Sequence, residues 1–223
     1  MIELRKQPRQ DRSRAKVDGI LAAAADLCSG RGLDALTTNA VAARAGVSIG
    51  SLYQYFPGKA ALLAALIRAE RANLLEAVEP LAAEVRLTLV GGVSEEMAGL
   101  TKRFRAHPHR PYVTKAELKG LYQEHDVLVM PTLGDSFGFV TVEAMASGMP
   151  VIASRNAGAP VPDEGWRVPP HDAEAIRARL LAYHADRELL RHHGEVAAAF
   201  GQGFRPVNYR QRAGKVFQEL LTA

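Results

Sequence analysis

The sequence predicts a small all-α amino-terminal domain built around a helix-turn-helix, followed by an incomplete α/β domain with a mostly parallel sheet. Three observations carry this. Up to about residue 79 the apolar residues recur at spacings of three and four, the period of helices with one buried face. Beyond residue 86 short continuous apolar runs alternate with helical stretches, as in strands covered on both faces of a parallel sheet. The charge divides at the same place: residues 1–72 hold 11 Lys and Arg against 6 Asp and Glu, and the remainder holds 17 against 18.

The chain starts with a basic tail, Arg5, Lys6, Arg9, Arg12, Arg14 and Lys16, that has no apolar period. Such a segment, about 1–11, reads as a flexible arm able to track phosphates, or simply as a solvated tail. Val17, Ile20, Leu21, Ala24, Leu27 and Cys28 then outline an amphipathic helix ending near Gly30 or Gly32. A short helix follows, with a Thr cap and with Val41, Ala42 and Ala45 on one face. Gly46 ends it, since glycine enters the left-handed region without a Cβ penalty. Val47 plugs the corner, and Ser48 caps a second helix whose Leu52 and Phe56 point inward. Ala42, Gly46 and Leu52 have the spacing of a helix-turn-helix, whose second helix lies in the major groove of DNA. Leu62, Leu63, Leu66 and Ile67 open a further helix from Lys59 to about Glu79, where Pro80 kinks or ends it.

The second part begins with Leu87 to Val90, a strand running into the turn Gly91-Gly92. Ser94, Glu95 and Glu96 read as an acidic helix start. Two prolines between His107 and Val113 argue against a central strand there. Thr114 and Glu117 form a capping box before a helix with Leu118, Leu121 and Tyr122 on one face. Val127 to Met130 is a buried strand, 139–147 a helix ending at Gly148, and Pro150 to Ala153 the next strand, which together make a βαβ unit. Ligands of such sheets sit at the carboxyl ends of strands. Loop 132–138 occupies that place, with Gly138 allowing close approach and the next helix offering unpaired amides to an anion. Trp166 to Val168 reads as a short last strand. Asp172 caps a helix to about His184, and 187–199 and 207–221 read as two more.

Residues 12–72 resemble the DNA-binding domain of the tetracycline-repressor (TetR) family, through Ala45-Gly46-Val47-Ser48 and the run Leu52-Tyr53-Gln54-Tyr55-Phe56-Pro57-Gly58-Lys59. The resemblance implies double-stranded DNA as a partner. It implies that Thr38, Tyr53 and Lys59 touch phosphates and that Ser48, Ile49, Gly50, Ser51 and Gln54 lie at or near base edges. The alternative is that Thr38 and the tyrosines are only caps and packing in a small helical module.

Residues 73–223 resemble the Rossmann-like, donor-binding carboxyl half of GT-B retaining glycosyltransferases that use nucleotide sugars. That family places two glutamates, separated by seven residues, around a Gly-Phe-Gly loop. Here Asp135 holds the first position, the loop reads Ser136-Phe137-Gly138, and Glu143 is the second acid. The resemblance implies that Glu143 binds the donor ribose and that Asp135 lies near the donor sugar, with one methylene less reach than glutamate. Gly91 and Gly92 join Asp135, Ser136, Phe137, Gly138 and Glu143 as the expected nucleotide-sugar site. The family's opening strand, its Gly-Arg loop and the Lys that neutralise the leaving diphosphate have no counterpart at Ala72-Asn73-Leu74. The acceptor domain, on the order of 150 residues, has no counterpart either. Without that electrostatic stabilisation no appreciable transferase activity is expected from the monomer; any transfer would be of the retaining kind.

Composition bounds the remaining classes. No apolar run reaches the ~18 residues of a membrane span, and the amino terminus lacks the apolar core of a signal segment. One cysteine, Cys28, excludes an internal disulfide and fits a reducing cytoplasm. The seven histidines form no zinc pattern, and no cofactor is expected. Three functional readings follow. The chain is a DNA-binding regulator whose sensing domain is replaced by a nucleotide-sugar-binding fold, with a homodimer needed for high specificity. Or it is a truncated glycosyltransferase-like protein that binds a nucleotide-diphosphate sugar. Or it is a chimera whose halves have no joint function.

Overall fold

The computed structural model describes residues 11–31, 33–81, 83–92, 108–134, 137–170 and 172–204. Helix α1 (Asp11–Arg31) buries Ile20, Ala24 and Cys28 completely. Burial pushes the Cys28 thiol above its ordinary pKa, so it behaves as a small apolar side chain. Arg12, Arg14 and Lys16, expected in a tail, lie within α1. Arg14, Ala15 and Lys16 are exposed and precede Val17, the first residue described as buried, so this part of the helix carries no apolar period. Helices α2 (Thr38–Arg44) and α3 (Ile49–Tyr55) follow, and Leu36, Val41, Leu52 and Phe56 close against α1 with no solvent exposure.

Helix α4 (Lys59–Val78) crosses from the front of the molecule to the back without a break. Leu62 and Leu66 join the core of α1–α3, whereas Val78, with Leu74 packed beside it, belongs to the core beneath the sheet. The expected stop at Pro80 takes the form of a 3-10 turn, Glu79–Leu81.

The strands are short. β1 (Leu89–Val90) pairs in parallel with β2 (His109–Arg110), and β3 (Leu128–Met130), β4 (Val151–Ser154) and β5 (Arg167–Val168) form a parallel sheet in that order. β2 forms between the two prolines that argue against a central strand. It stays two residues long at the rim of its sheet, where Pro108 contributes only its carbonyl, to Leu89 N–H. Among the described residues the sheet is thus in two pieces, β1–β2 and β3–β4–β5.

Helix α5 (Lys115–Glu124) precedes β3 and starts with the expected capping box between Thr114 and Glu117. Helix α6 (Phe139–Ala146) links β3 to β4, completing the βαβ unit. Helices α7 (Ala173–Ala185) and α8 (Arg187–Gln202) start at Asp172 and Asp186, whose carboxylates accept from Ala175 and Leu189 N–H. α8 crosses the end of α6 at backbone distance, with Gly194 facing Gly148 and Gly201 facing Ala146. Of the expected arm 1–11, Asp11 instead opens α1, and residues 1–10 lie outside the described residues, as do the helix start at 94–96 and the helix at 207–221.

Front and back also meet away from α4. Leu133, in the loop after β3, is only 8% exposed and packs into the core of α1–α3. Beside it the Asn156 amide donates to the carbonyls of Cys28 and Leu133, at 2.8 and 2.9 Å. The helical unit therefore rests on the carboxyl edge of the sheet.

Candidate functional site

The front of the molecule presents a helix pair whose turn is specified residue by residue. Thr37 Oγ1 accepts from Ala40 N–H at 3.1 Å to start α2. Gly46 turns the chain at φ +65°, and Val47 N–H returns to the Ala42 carbonyl at 3.0 Å. Ser48 Oγ accepts from Ser51 N–H at 3.1 Å to start α3, and donates to Ser51 Oγ at 3.0 Å. The two serine hydroxyls expected near base edges are thus partly engaged in capping their own helix.

Ile49, Gly50, Tyr53, Gln54 and Lys59 are exposed, while Thr38 and Ser51 are half-buried. The two tyrosines separate cleanly: Tyr55 is 6% exposed and belongs to the core, and Tyr53 is 41% exposed. Tyr53 Oη lies 3.3 Å from Thr38 Oγ1, so two of the expected phosphate contacts meet across α2 and α3. Arg44, at the end of α2, is paired with Asp26 of α1 at 2.9 Å.

The back of the molecule offers a different arrangement. Gly138 adopts φ +66° and ψ +59° directly before α6, a conformation that favours glycine, and no side chain caps that helix. Phe137 packs on Phe139 with ring centroids 4.9 Å apart. Glu143 is exposed, and its Oε2 accepts from Tyr122 Oη at 3.3 Å. Burial, then the neighbouring Glu143 carboxylate, push the Tyr122 hydroxyl well above its ordinary pKa, so it remains a donor. Asp135 and Ser136 lie outside the described residues.

Gly91 and Gly92 are apart from this group. Gly91, at φ +115°, donates to the Arg110 carbonyl and its own carbonyl lies 2.8 Å from His109 Nε2. Both glycines border a cleft of about 730 Å³, together with Thr132, Leu133 and Gly134 but without Phe137, Gly138 or Glu143. Tyr122 borders the same cleft and connects it to Glu143.

The pattern reading missed three residues of consequence. Tyr122 reads as one of three face residues of α5, and a phenol on an otherwise aliphatic face is the signal that it has a polar partner. Leu133 and Asn156 carry no local signal, because Asn156 reaches Cys28, 128 residues away, and Leu133 completes a core built from residues 17–66. Among the described residues no group of three or more His, Cys, Asp or Glu side chains could hold a metal ion, and no helix is long and apolar enough to cross a membrane.

Comparison with known proteins assigns both parts. Residues 20–66 match the family described as bacterial regulatory proteins, tetR family, and residues 62–186 match glycosyl transferases group 1. The two matches overlap within α4. The chain is 33% identical over 183 residues to the D-inositol 3-phosphate glycosyltransferase of Streptomyces bingchenggensis, covering 74% of this chain and 40% of that protein. The enzyme of the same name from Corynebacterium glutamicum is 34% identical over 116 residues, covering 50% and 27%. Among solved structures, sucrose-phosphate synthase from Thermosynechococcus elongatus superposes with a TM-score of 0.57 at 26% identity, over 70% of this chain and 43% of that one. The chain spans about two fifths of the length of the first of these relatives. The group 1 match spans more than half of the chain and contains the βαβ unit of β3, α6 and β4: this protein belongs to the group 1 glycosyl transferases, and it carries a tetR-family helix-turn-helix in front.

Proposed function

We propose that the protein binds double-stranded DNA through α2 and α3, with α3 in the major groove. The observation that carries this is the pair Thr38 and Tyr53, two hydroxyl groups held 3.3 Å apart on different helices beside an otherwise open α3. A hydroxyl pair suits a phosphate oxygen, and Lys59 adds a positive charge at the start of α4. Ile49, Gly50 and Gln54 then face base edges, where a glutamine pairs with adenine. One such unit binds weakly and mostly through phosphates, so high operator specificity requires a second copy.

The test is enrichment from random duplex DNA and titration at several salt concentrations. Tyr53→Ala combined with Lys59→Ala is expected to weaken binding at least about tenfold and to reduce the salt slope by about 1. Equal affinity and equal slope in the variant would sink this reading.

A second reading is favoured by Gly138 and Glu143. A left-handed glycine before an uncapped helix, with a carboxylate one turn on, suits a diphosphate and a ribose hydroxyl respectively. In this reading the back half binds a nucleotide-diphosphate sugar without transferring it, and the sugar nucleotide modulates DNA binding with the reciprocal effect required by linkage. Calorimetric titration with uridine- and guanosine-diphosphate sugars checks it. Glu143→Ala is expected to lower the affinity about tenfold or more, the effect of a lost hydrogen bond to a charged group. Two ligands that bind without influencing one another would leave two parts with no joint function. The cytoplasm is the compartment consistent with both readings.

A further inference from the structure

The gap between the two pieces of sheet has the shape and chemistry of a missing strand. Leu87 to Gly92 border the 730 Å³ cleft residue after residue, and so do Val127 to Thr132. Side chains of a strand alternate between its two faces. A strand that meets a cavity with every residue in turn meets it with its edge, where the backbone groups are.

The hydrogen bonds agree. Leu89 and Gly91 N–H are directed to β2, and Leu128 N–H is directed to Pro150 beside β4. Alternation then turns the N–H and C=O of Val90 and of Val129 toward the opposite edges, which no described strand covers. The two edges run in the same sense. Thr88 and His125, which precede β1 and β3, are joined by a 2.7 Å hydrogen bond, and Gly91 and Thr132 at the carboxyl ends border one cleft.

Both faces of β3 beside the slot are already covered. Val127 and Val129 pack with Leu74, Val78 and Leu180, from α4 and α7. Leu128 and Met130 pack on the other side with Tyr122 of α5 and Met149. A strand buried on both faces is a continuous run of Val, Ile and Leu. Strand rise, strand spacing and layer spacing together give roughly 160 Å³ per residue. The cleft therefore has room for about four to five residues, close to the length of either edge.

We infer that this cleft is a docking site for an extended apolar segment of a second polypeptide, which enters between β1 and β3, parallel to both, and joins the two pieces into one sheet. An aliphatic small molecule would satisfy the walls but leave the Val90 and Val129 backbone groups without partners in a nonpolar setting, a cost that only another backbone removes on both edges at once. The inference is independent of DNA binding.

The probe is a capped heptapeptide with five successive Val, Ile and Leu residues between two lysines, added to the full chain. Saturable one-to-one binding is expected, with amide hydrogen exchange at Val90 and Val129 slowed at least about tenfold and that at Leu89 and Leu128 unchanged. The same peptide N-methylated at alternate residues keeps its apolar surface and loses the donors to one edge, and it is expected to bind at least about tenfold more weakly. Absence of saturable binding would overturn the inference. So would equal binding of the methylated peptide, or Val90 and Val129 amides already protected before any peptide is added.

Discussion

Gly201→Val is expected to destabilise the fold by about 3 kcal/mol, lowering the thermal midpoint by roughly 6 to 12 °C for a chain of this size. A Cβ at Gly201 would lie 2.3 Å from Ala146 N and 2.5 Å from Ala146 Cα. Those are backbone atoms at the end of α6, so relief requires α8 to move off α6 rather than one side chain to turn. Gly194 would meet the Gly148 carbonyl at 2.9 Å, so the same movement would open a second close contact. Gly120 is the internal control: it also lies within a helix, α5, and nothing is within 4 Å of its added Cβ. Gly120→Ala is expected to raise stability by about 0.5 to 1 kcal/mol, the ordinary gain of alanine over glycine in a helix. Urea unfolding followed by circular dichroism measures both. A Gly201 variant as stable as the parent would mean that α8 does not cross α6 at backbone distance.

Leu133→Asp has the other large effect, on the order of 4 kcal/mol, from loss of a buried leucine and burial of a carboxylate without a partner. Leu133 comes from the sheet side yet completes the core of α1–α3. Its loss removes an apolar contact and sets a charge against Ile20, Leu52 and their neighbours. The parent chain is expected to unfold in one transition seen alike by the Tyr and Trp signals, since Trp166 lies under the sheet and Tyr55 in the helical core. The variant is expected to lose the helical unit first, in a separate transition. A single transition at the parent's midpoint would show that the two cores do not depend on each other through this residue. Asn156→Ala removes the two amide donors to Cys28 and Leu133 and is expected to cost about 1 to 3 kcal/mol by the same route.

Local chemistry was readable and long-range placement was not. The turn at Gly46, the caps at Ser48, Thr114 and Asp172, the end of the long helix near Pro80 and the unit of β3, α6 and β4 follow from residues within a few positions of one another. For that reason a single chain suffices to locate them. Arg12, Arg14 and Lys16 lie in a helix, not a tail, because a helix that overhangs its core has no periodic face to announce it. The short strand His109–Arg110 forms because β1 asks of the flanking prolines only the Pro108 carbonyl and no N–H. In the candidate sites, the exposure of Tyr53 and burial of Tyr55 follow from the period of α3, whereas the Tyr122 to Glu143 bond spans two helices and depends on how they pack. Leu133 is legible only once the helical unit is known to rest on the sheet.

Helix α4 sets a rule of phase for any rearrangement that joins these two parts. Leu62 and Leu66 serve one core, and Leu74 and Val78, eight or more positions later, serve the other from a face turned by roughly 120° around the same cylinder. Inserting one residue between them would rotate one part about the other by roughly 100° and shift it ~1.5 Å, placing polar positions where one of the two cores now sits. Inserting seven would return the faces to within about 20° while moving them ~10 Å apart along the axis, beyond the reach of Leu133. The joint therefore admits almost no variation in length: the two sequences had to meet in step.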